Sequence, residues 1–348
     1  MELYPFKFQP ILKKVIWGGS EICLFKNLDN KETGIGESWE LSHVPDSVSV
    51  VSNGDLKGES LTSLIENEPI NLLGKKVYDR FGKEFPLLIK FIDAEDDLSI
   101  QVHPDDELAG KRHNSFGKTE MWYVIDSKPG SKLVSGFSEK INITEYERHV
   151  EEGTIEKVLN YHEAKSGDVF FLPAGRVHAI GAGLFIAEIQ QTSNNTYRIY
   201  DYKRKDSNGN ERELHTELAK DAIDYNLYKN LKTSYQPKVN EIVELVTCKY
   251  FTTNFLHLKV ENSGSNNHKI DSAEDVNFTD TIEFELDQTN LDSFRIFICM
   301  RGEGWIEYDK DKSISICQGE TVLIPASIEA ISLCTGSEIL TLETFIPD

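Results

Sequence analysis

The stretch Gly167-Asp-Val-Phe-Phe-Leu-Pro173-Ala-Gly175-Arg-Val-His178 runs a short apolar strand into a Pro/Gly turn and delivers a histidine just beyond it. Four consecutive apolar residues bounded by turn residues read as a buried strand. A second copy of the opening half follows later as Gly319-Glu-Thr-Val-Leu-Ile-Pro325-Ala326, again with five residues between Gly and Pro. Two such segments, each late in a strand-rich stretch, suggest a duplicated β module. Working outward, further strand signals fall at 85–92, 98–103, 121–125, 185–189, 295–300 and 305–308. Helical patterning is sparse. Thr144-Glu-Tyr-Glu147 has capping-box spacing and opens a helix to about residue 152. Leu214, Leu218, Ala222 and Ile223 form an apolar stripe at helical spacing. Many short strands and few helices predict a mainly β protein of sandwich or barrel type.

The segment Leu98-Ser-Ile-Gln-Val-His103-Pro104 alternates strictly, so Leu98, Ile100 and Val102 take one face and Ser99, Gln101 and His103 the other. Three polar residues on one face make either a solvated surface or a polar site. Lys118, Glu120 and Trp122 share a face by the same period of two. Together with the turn at His178, these segments offer Gln101, His103, Glu120 and His178, a set of N and O donors suited to a first-row divalent metal. Single histidines are more often structural, and His113, His149, His162, His257 and His268 are read that way.

Bulk properties narrow the function classes. With 348 residues, the chain is long enough for two packed domains, expected at 1–240 and 241–348. The polar stretch 261–288 is expected to form surface loops at the start of the second. A hydrophobic fraction of 39% and a charged fraction of 27% describe a globular chain. The net charge of −21 argues against a nucleic-acid partner, since phosphate backbones are bound by Lys and Arg. No apolar run of roughly 20 residues is present, so no membrane span is expected. The N-terminal segment lacks the apolar core of a signal peptide. Five cysteines without a CxxC pair read as reduced thiols, and the chain as cytoplasmic.

Gly167-x5-Pro173-x-Gly175-x2-His178 resembles the second metal-binding motif of the cupin superfamily. Gln101-x-His103 followed by Glu120 is similar to the first cupin motif as it stands in the type I phosphomannose isomerases, with Gln in place of the leading histidine. The likeness continues in Ile16-Trp-Gly-Gly19, Gly36-Glu-Ser-Trp-Glu40 and Leu88-Ile-Lys-Phe-Ile-Asp-Ala94. It runs on through Gly181-Ala-Gly-Leu-Phe-Ile-Ala-Glu-Ile-Gln-Gln191 and Ser193-Asn-Asn-Thr-Tyr-Arg-Ile-Tyr-Asp201. The resemblance spans roughly residues 5–225, in the order of the short bacterial form. It implies two cupin-like barrels with accessory helices, and one zinc ion held by Gln101, His103, Glu120 and His178. It also implies Arg198 as the catalytic arginine, with Lys118 beside it. The expected substrate-binding set is Lys118, Arg198, Ser99, Arg176, Trp17 and Glu37. Eukaryotic members carry a tyrosine two residues after the last histidine, a position held here by Ile180. The C-terminal copy lacks a histidine after Pro325, so the second barrel is expected to hold no metal and to serve by packing.

The implied reaction interconverts mannose 6-phosphate and fructose 6-phosphate through an enediol. It needs a base for a weakly acidic C–H and an electrophile for the developing oxyanion. A phosphorylated hexose conflicts with a charge of −21 unless the pocket is locally positive, which is the role expected of Lys118, Arg198 and Arg176. Two histidines and a carboxylate also occur in non-haem iron oxygenases, and a sugar-binding bicupin without turnover is a further reading. A monomer or a homodimer is compatible with the sequence.

Overall fold

The structure is a computed structural model that describes residues 2–29, 32–205, 209–260, 281–287, 291–309 and 311–347. Two compact units divide the chain. The larger comprises Phe8–Glu66 and Lys83–Ser234; the smaller comprises Met1–Lys7, Asn67–Gly82 and Tyr235–Asp348. Against the expected cut near residue 240, two early segments group with the C-terminal one. Strand β1 (Phe6–Lys7) pairs with the strand Thr321–Ile324, setting Phe6 opposite Leu323. The Ala326 and Ser327 amides donate to the carbonyls of Leu72 and Asn71. Such long-range pairing leaves no trace in local composition.

The larger unit stacks two antiparallel sheets. One runs in the order β13 (Lys232–Thr233), β9 (Val169–Leu172), β6 (Glu120–Ser127), β11 (Leu184–Gln191), β4 (Leu87–Ala94), β2 (Ile11–Gly19) and β3 (Ile35–Leu41). The other runs β12 (Tyr197–Tyr200), β5 (Ile100–Val102), β10 (His178–Ile180), β7 (Lys132–Phe137) and β8 (Leu159–Glu163). Alternation along each strand then sorts the side chains. Ile92, Ala94, Trp122, Val124, Phe170, Leu184 and Ile186 of the first sheet meet Leu133 and Ile180 of the second in one buried core. On the outer face of the second sheet, Ile100, Val102, Ala179, Tyr197 and Ile199 pack beneath the helices that carry Tyr146 and Ala219. The residues between these outward apolar positions are Gln101, His178 and Arg198, which therefore face inward. Register completes the row: His178 lies opposite Gln101, and Gln101 opposite Arg198.

The quoted repeat has a matching local structure in both copies. Gly167 and Gly319 each take positive φ, at 87° and 82°. The Gly167 amide donates to Val124 O and the Val124 amide to Asp168 O; the Gly319 amide donates to Cys299 O and the Cys299 amide to Glu320 O. In the smaller unit the 14-residue strand Arg295–Tyr308 unites the two strands expected at 295–300 and 305–308. It pairs with Thr321–Ile324 through its first half and with Lys312–Cys317 through its second. Between the two halves the register against Glu338–Phe345 shifts between Cys299 and Arg301, and Gly302, with φ of 78° and a close approach to Glu338 O, has no room for a side chain.

Several local expectations need correction. The strand Ile282–Asp287 occupies part of the stretch expected to be loop, while 261–280 and 288–290, with His268, lie outside the described residues. The helix Ile143–Glu151 is capped by Asn142, whose side chain accepts from the Glu145 amide while Glu145 reciprocates. That capping box begins two residues before the expected one. The second expected helix is Thr216–Ala222. Short helices at Leu61–Asn67, Pro69–Leu73, Lys75–Phe81 and Asp106–His113 were not anticipated. Among the described residues no helix is long and apolar enough to cross a membrane.

One buried ion pair in the smaller unit yields a stability prediction. Glu343 is fully buried, pairs with Arg295, and accepts from Asn254 Nδ2 at 2.8 Å. Arg295→Met strands that carboxylate in the core and is expected to cost about 3–5 kcal/mol. Denaturant unfolding measures it, and an unchanged midpoint would show the pair to be dispensable.

Candidate metal centre and substrate cavity

Strand β5, which carries Gln101 and leads into His103, and the starts of β6 and β10 bring the donor atoms together. His178 opens β10 after the Pro173–Gly175 turn, in which Gly175 takes φ of 88° and donates its N–H to the His103 carbonyl at 2.9 Å. The turn that delivers one histidine is thus bonded to the residue that supplies the other. Glu120 opens β6, directly opposite Gln190 and Leu172. His103 Nε2 lies 3.5 Å from Glu120 Oε2, and His178 Nε2 lies 3.3 Å from Glu120 Oε1. Gln101 Nε2 lies 3.3 Å from His178 Nε2. A half-turn of that amide presents Oε1 in the same place.

These atoms fit a metal ion on three grounds. First, each imidazole directs Nδ1 at a backbone carbonyl, His103 to Asn195 O and His178 to Arg176 O, both at 2.8 Å. An N–H donated outward fixes the tautomer that leaves Nε2 free as a ligand. Second, burial and the Lys118 charge hold both rings neutral, His178 at about 3 and His103 well below its ordinary value. Third, Glu120 is fully buried; Lys118 Nζ contacts its Oε2 at 2.7 Å, while Oε1 faces His178 Nε2 at 3.3 Å. Burial, with Glu188 adding to it, pushes this carboxyl up. Even with Lys118 beside it, a fully buried carboxylate facing two neutral imidazoles suits a cation held among them. Among the described residues a second grouping, Glu283, Glu307 and Cys334, also brings ligand-type atoms together, with both acids exposed and no histidine.

Beside the donors lies a cavity of about 330 Å³ lined by Trp17, Glu37, Lys90, Ser99, Gln101, Lys118, Ile180, Glu188, Arg198 and Arg212, among others. Lys118 Nζ is 2.7 Å from Glu120 Oε2 and 3.2 Å from His103 Nε2. Arg198 donates Nη1 to Glu213 O, while its Nε is buried without a hydrogen-bond partner. Ser99 Oγ reaches Gln101 Oε1 at 3.4 Å, Trp17 is a buried wall, and Glu37 accepts from Trp39 Nε1. Arg176 is placed otherwise than expected. Its guanidinium lies over the Tyr228 ring, 4.4 Å from the centroid, and does not line the cavity. What Arg176 contributes is its carbonyl, under His178. Ile180 packs in the core with its side chain at the cavity wall.

Two residues beyond the expected set are central to the electrostatics. Lys90 Nζ lies 3.1 Å from Glu188 Oε1, and Trp122 Nε1 donates to Glu188 Oε2 at 2.9 Å. Burial alone would raise the Glu188 carboxyl, but Lys118, Lys90 and the Trp122 N–H outweigh it and hold the group ionised. The signal was available: Lys90 and Glu188 are charges inside the wholly buried strands LLIKFIDA and LFIAEIQQ. Such charges must find each other, and they stand directly opposite in register.

Residues 5–132 match the phosphomannose isomerase type I catalytic domain. The chain is 37% identical to mannose-6-phosphate isomerase ManA of Bacillus subtilis over 256 residues, 72% of this chain and 79% of that protein. The chain belongs to the type I phosphomannose isomerase family. It is also 39% identical to the mannose-6-phosphate isomerase of Streptococcus mutans over 219 residues, 63% of this chain and 67% of that one. A crystal structure of the mannose 6-phosphate isomerase from Bacillus subtilis superposes with a TM-score of 0.80 at 30% identity, covering 99% of both chains. The mainly β, cupin-type architecture agrees with these neighbours.

Proposed function

We propose that this chain is a zinc-dependent aldose–ketose isomerase that interconverts mannose 6-phosphate and fructose 6-phosphate, with one ion held by Gln101, His103, Glu120 and His178. The observation that carries the reading is a fully buried carboxylate, paired with Lys118, whose oxygens face two neutral imidazoles at the edge of a cationic cavity. Mixed nitrogen and oxygen donors suit Zn²⁺. When bound, the ion supplies Lewis-acid polarisation at the substrate oxygens.

The chain's own residues account for the rest. Lys90, Lys118, Arg198 and Arg212 line the cavity against the carboxylates Glu37 and Glu188. That balance makes the site locally positive within a chain of net charge −21, as an anionic substrate requires. The reaction moves a proton from C2 to C1 while the hydroxyl proton passes from O2 to O1, so atoms balance without a redox cofactor. Lys118 stands at the donor cluster, where an ammonium stabilises negative charge growing on an enediolate. Arg198, across the strand from Gln101, binds substrate as a fixed cation; a guanidinium is a poor base. Ser99 and Trp17 shape the cavity between them.

A coupled assay for fructose 6-phosphate formation tests the proposal. Turnover should fall at least about a hundredfold in chelator, since the ion supplies several kcal/mol, and Zn²⁺ should restore it. Turnover indifferent to chelator, or absent from protein carrying one zinc per chain, would refute it.

A further inference from the structure

Arg212 lies 14 residues beyond Arg198 and outside every motif that carried the family resemblance, yet it lines the same cavity. Its guanidinium is gripped on one side only. Nε donates to Asp201 Oδ2 at 2.6 Å and Nη2 to Asp201 Oδ1 at 2.5 Å, and Nη1 has no partner among the described residues. Asp201 is itself buried and accepts from Arg204 Nη2 at 2.5 Å. One buried carboxylate therefore serves two arginines, while Arg198 beside them keeps an unpartnered Nε. The Arg212 charge adds to burial in disfavouring the charged form of Arg198. Guanidinium groups stay charged in proteins, so this corner holds an excess of fixed positive charge with free N–H groups. It lacks an anion.

Resting on the isomerase reading above, we infer that Arg212 is a second arginine of the substrate's phosphate seat, and that Asp201 is the positioning residue that aims it. With Nε and Nη2 pinned on Asp201, Nη1 is left to give a phosphate oxygen one charge-assisted hydrogen bond. Buried pairing also removes the rotamer freedom that a loose surface arginine would lose on binding.

Calorimetric titration of the zinc-loaded protein with inorganic phosphate tests this independently of turnover. Arg212→Gln is expected to weaken phosphate binding about tenfold to a hundredfold. Arg212→Lys should recover part of the loss, because charge returns without the fork. With mannose 6-phosphate the same variants should raise KM and leave kcat within about threefold, the pattern of lost uniform binding. Asp201→Asn should weaken phosphate binding less than Arg212→Gln and add nothing in the double variant, since it acts through Arg212. Melting curves confirm folding; Arg212 is partly exposed, so its variants are expected to fold. Equal phosphate affinity in wild type and Arg212→Gln overturns the assignment, as does a wild type that binds no phosphate. Additive losses in the double variant overturn the role of Asp201. If the wild type binds phosphate through Arg212 but never isomerises the sugar, the isomerase reading fails and this one stands.

Discussion

His178→Ala is expected to release the metal and lower turnover at least about a thousandfold while the chain still folds. The ring is buried with its Nδ1 committed to Arg176 O, so Nε2 has only the donor cluster to serve. Removing it leaves Glu120 without one of its two imidazole neighbours and leaves the Gln101 amide facing a hole. Loss of several kcal/mol of Lewis-acid stabilisation corresponds to three or more powers of ten in rate. The fold should survive because the core between the sheets is made by Trp122, Val124, Phe170, Leu184, Ile186 and their neighbours, none of which depends on an ion. A small zinc finger, by contrast, unfolds without its metal. Metal analysis, circular dichroism and the coupled assay on one preparation decide the matter. A variant with one zinc per chain and wild-type turnover would remove His178 from the site. Insoluble protein would make the ion structural.

How much of this was legible in the residues themselves differs between parts of the chain. Alternation sorts Gln101 from Ile100 and Val102, and the structure sends those two faces to a cavity and a helix-covered core; Leu98, expected with Ile100 and Val102, lies before the strand and packs in the inner core at the cavity wall. The Gly–Pro frame of both repeats marks the same turn, with the same backbone bonds. Other features escape such patterns. Arg176 stands two residues before His178, which suggested a shared site, but the turn sends its guanidinium to Tyr228 instead. Helices of five to eight residues, such as Pro69–Leu73 and Asp106–His113, are too short to display a stripe at helical spacing. The grouping of Phe6–Lys7 with Thr321–Ile324 is a pairing across most of the chain. Lys90 and Glu188 stand out as charges in largely apolar strands, but it takes the register to set them face to face.

Lys118→Met is expected to lower kcat by about a hundredfold to ten-thousandfold with zinc content unchanged. The two readouts separate because of what surrounds the ammonium. Nζ lies 2.7 Å from Glu120 Oε2 and 3.9 Å from Glu188 Oε1, so it balances two buried carboxylates. Without it, Glu188 keeps Lys90 at 3.1 Å and the Trp122 N–H at 2.9 Å, and remains compensated. Glu120 keeps the two imidazoles beside it, so the ion proposed there keeps its ligands. What disappears is the one cation among the described residues that reaches both the donor cluster and the cavity. Lys90 cannot replace it, since its ammonium is shared between Glu188 and Glu37 at 3.1 and 3.6 Å. Lys118→Arg should restore little, because a planar fork cannot occupy the space of a compact ammonium between two carboxylates. If Lys118 only neutralised its neighbours, the methionine variant would lose thermal stability and keep kcat within about threefold. If it only bound phosphate, KM would rise alone. A fall in kcat at constant zinc content is the outcome that neither of those roles produces.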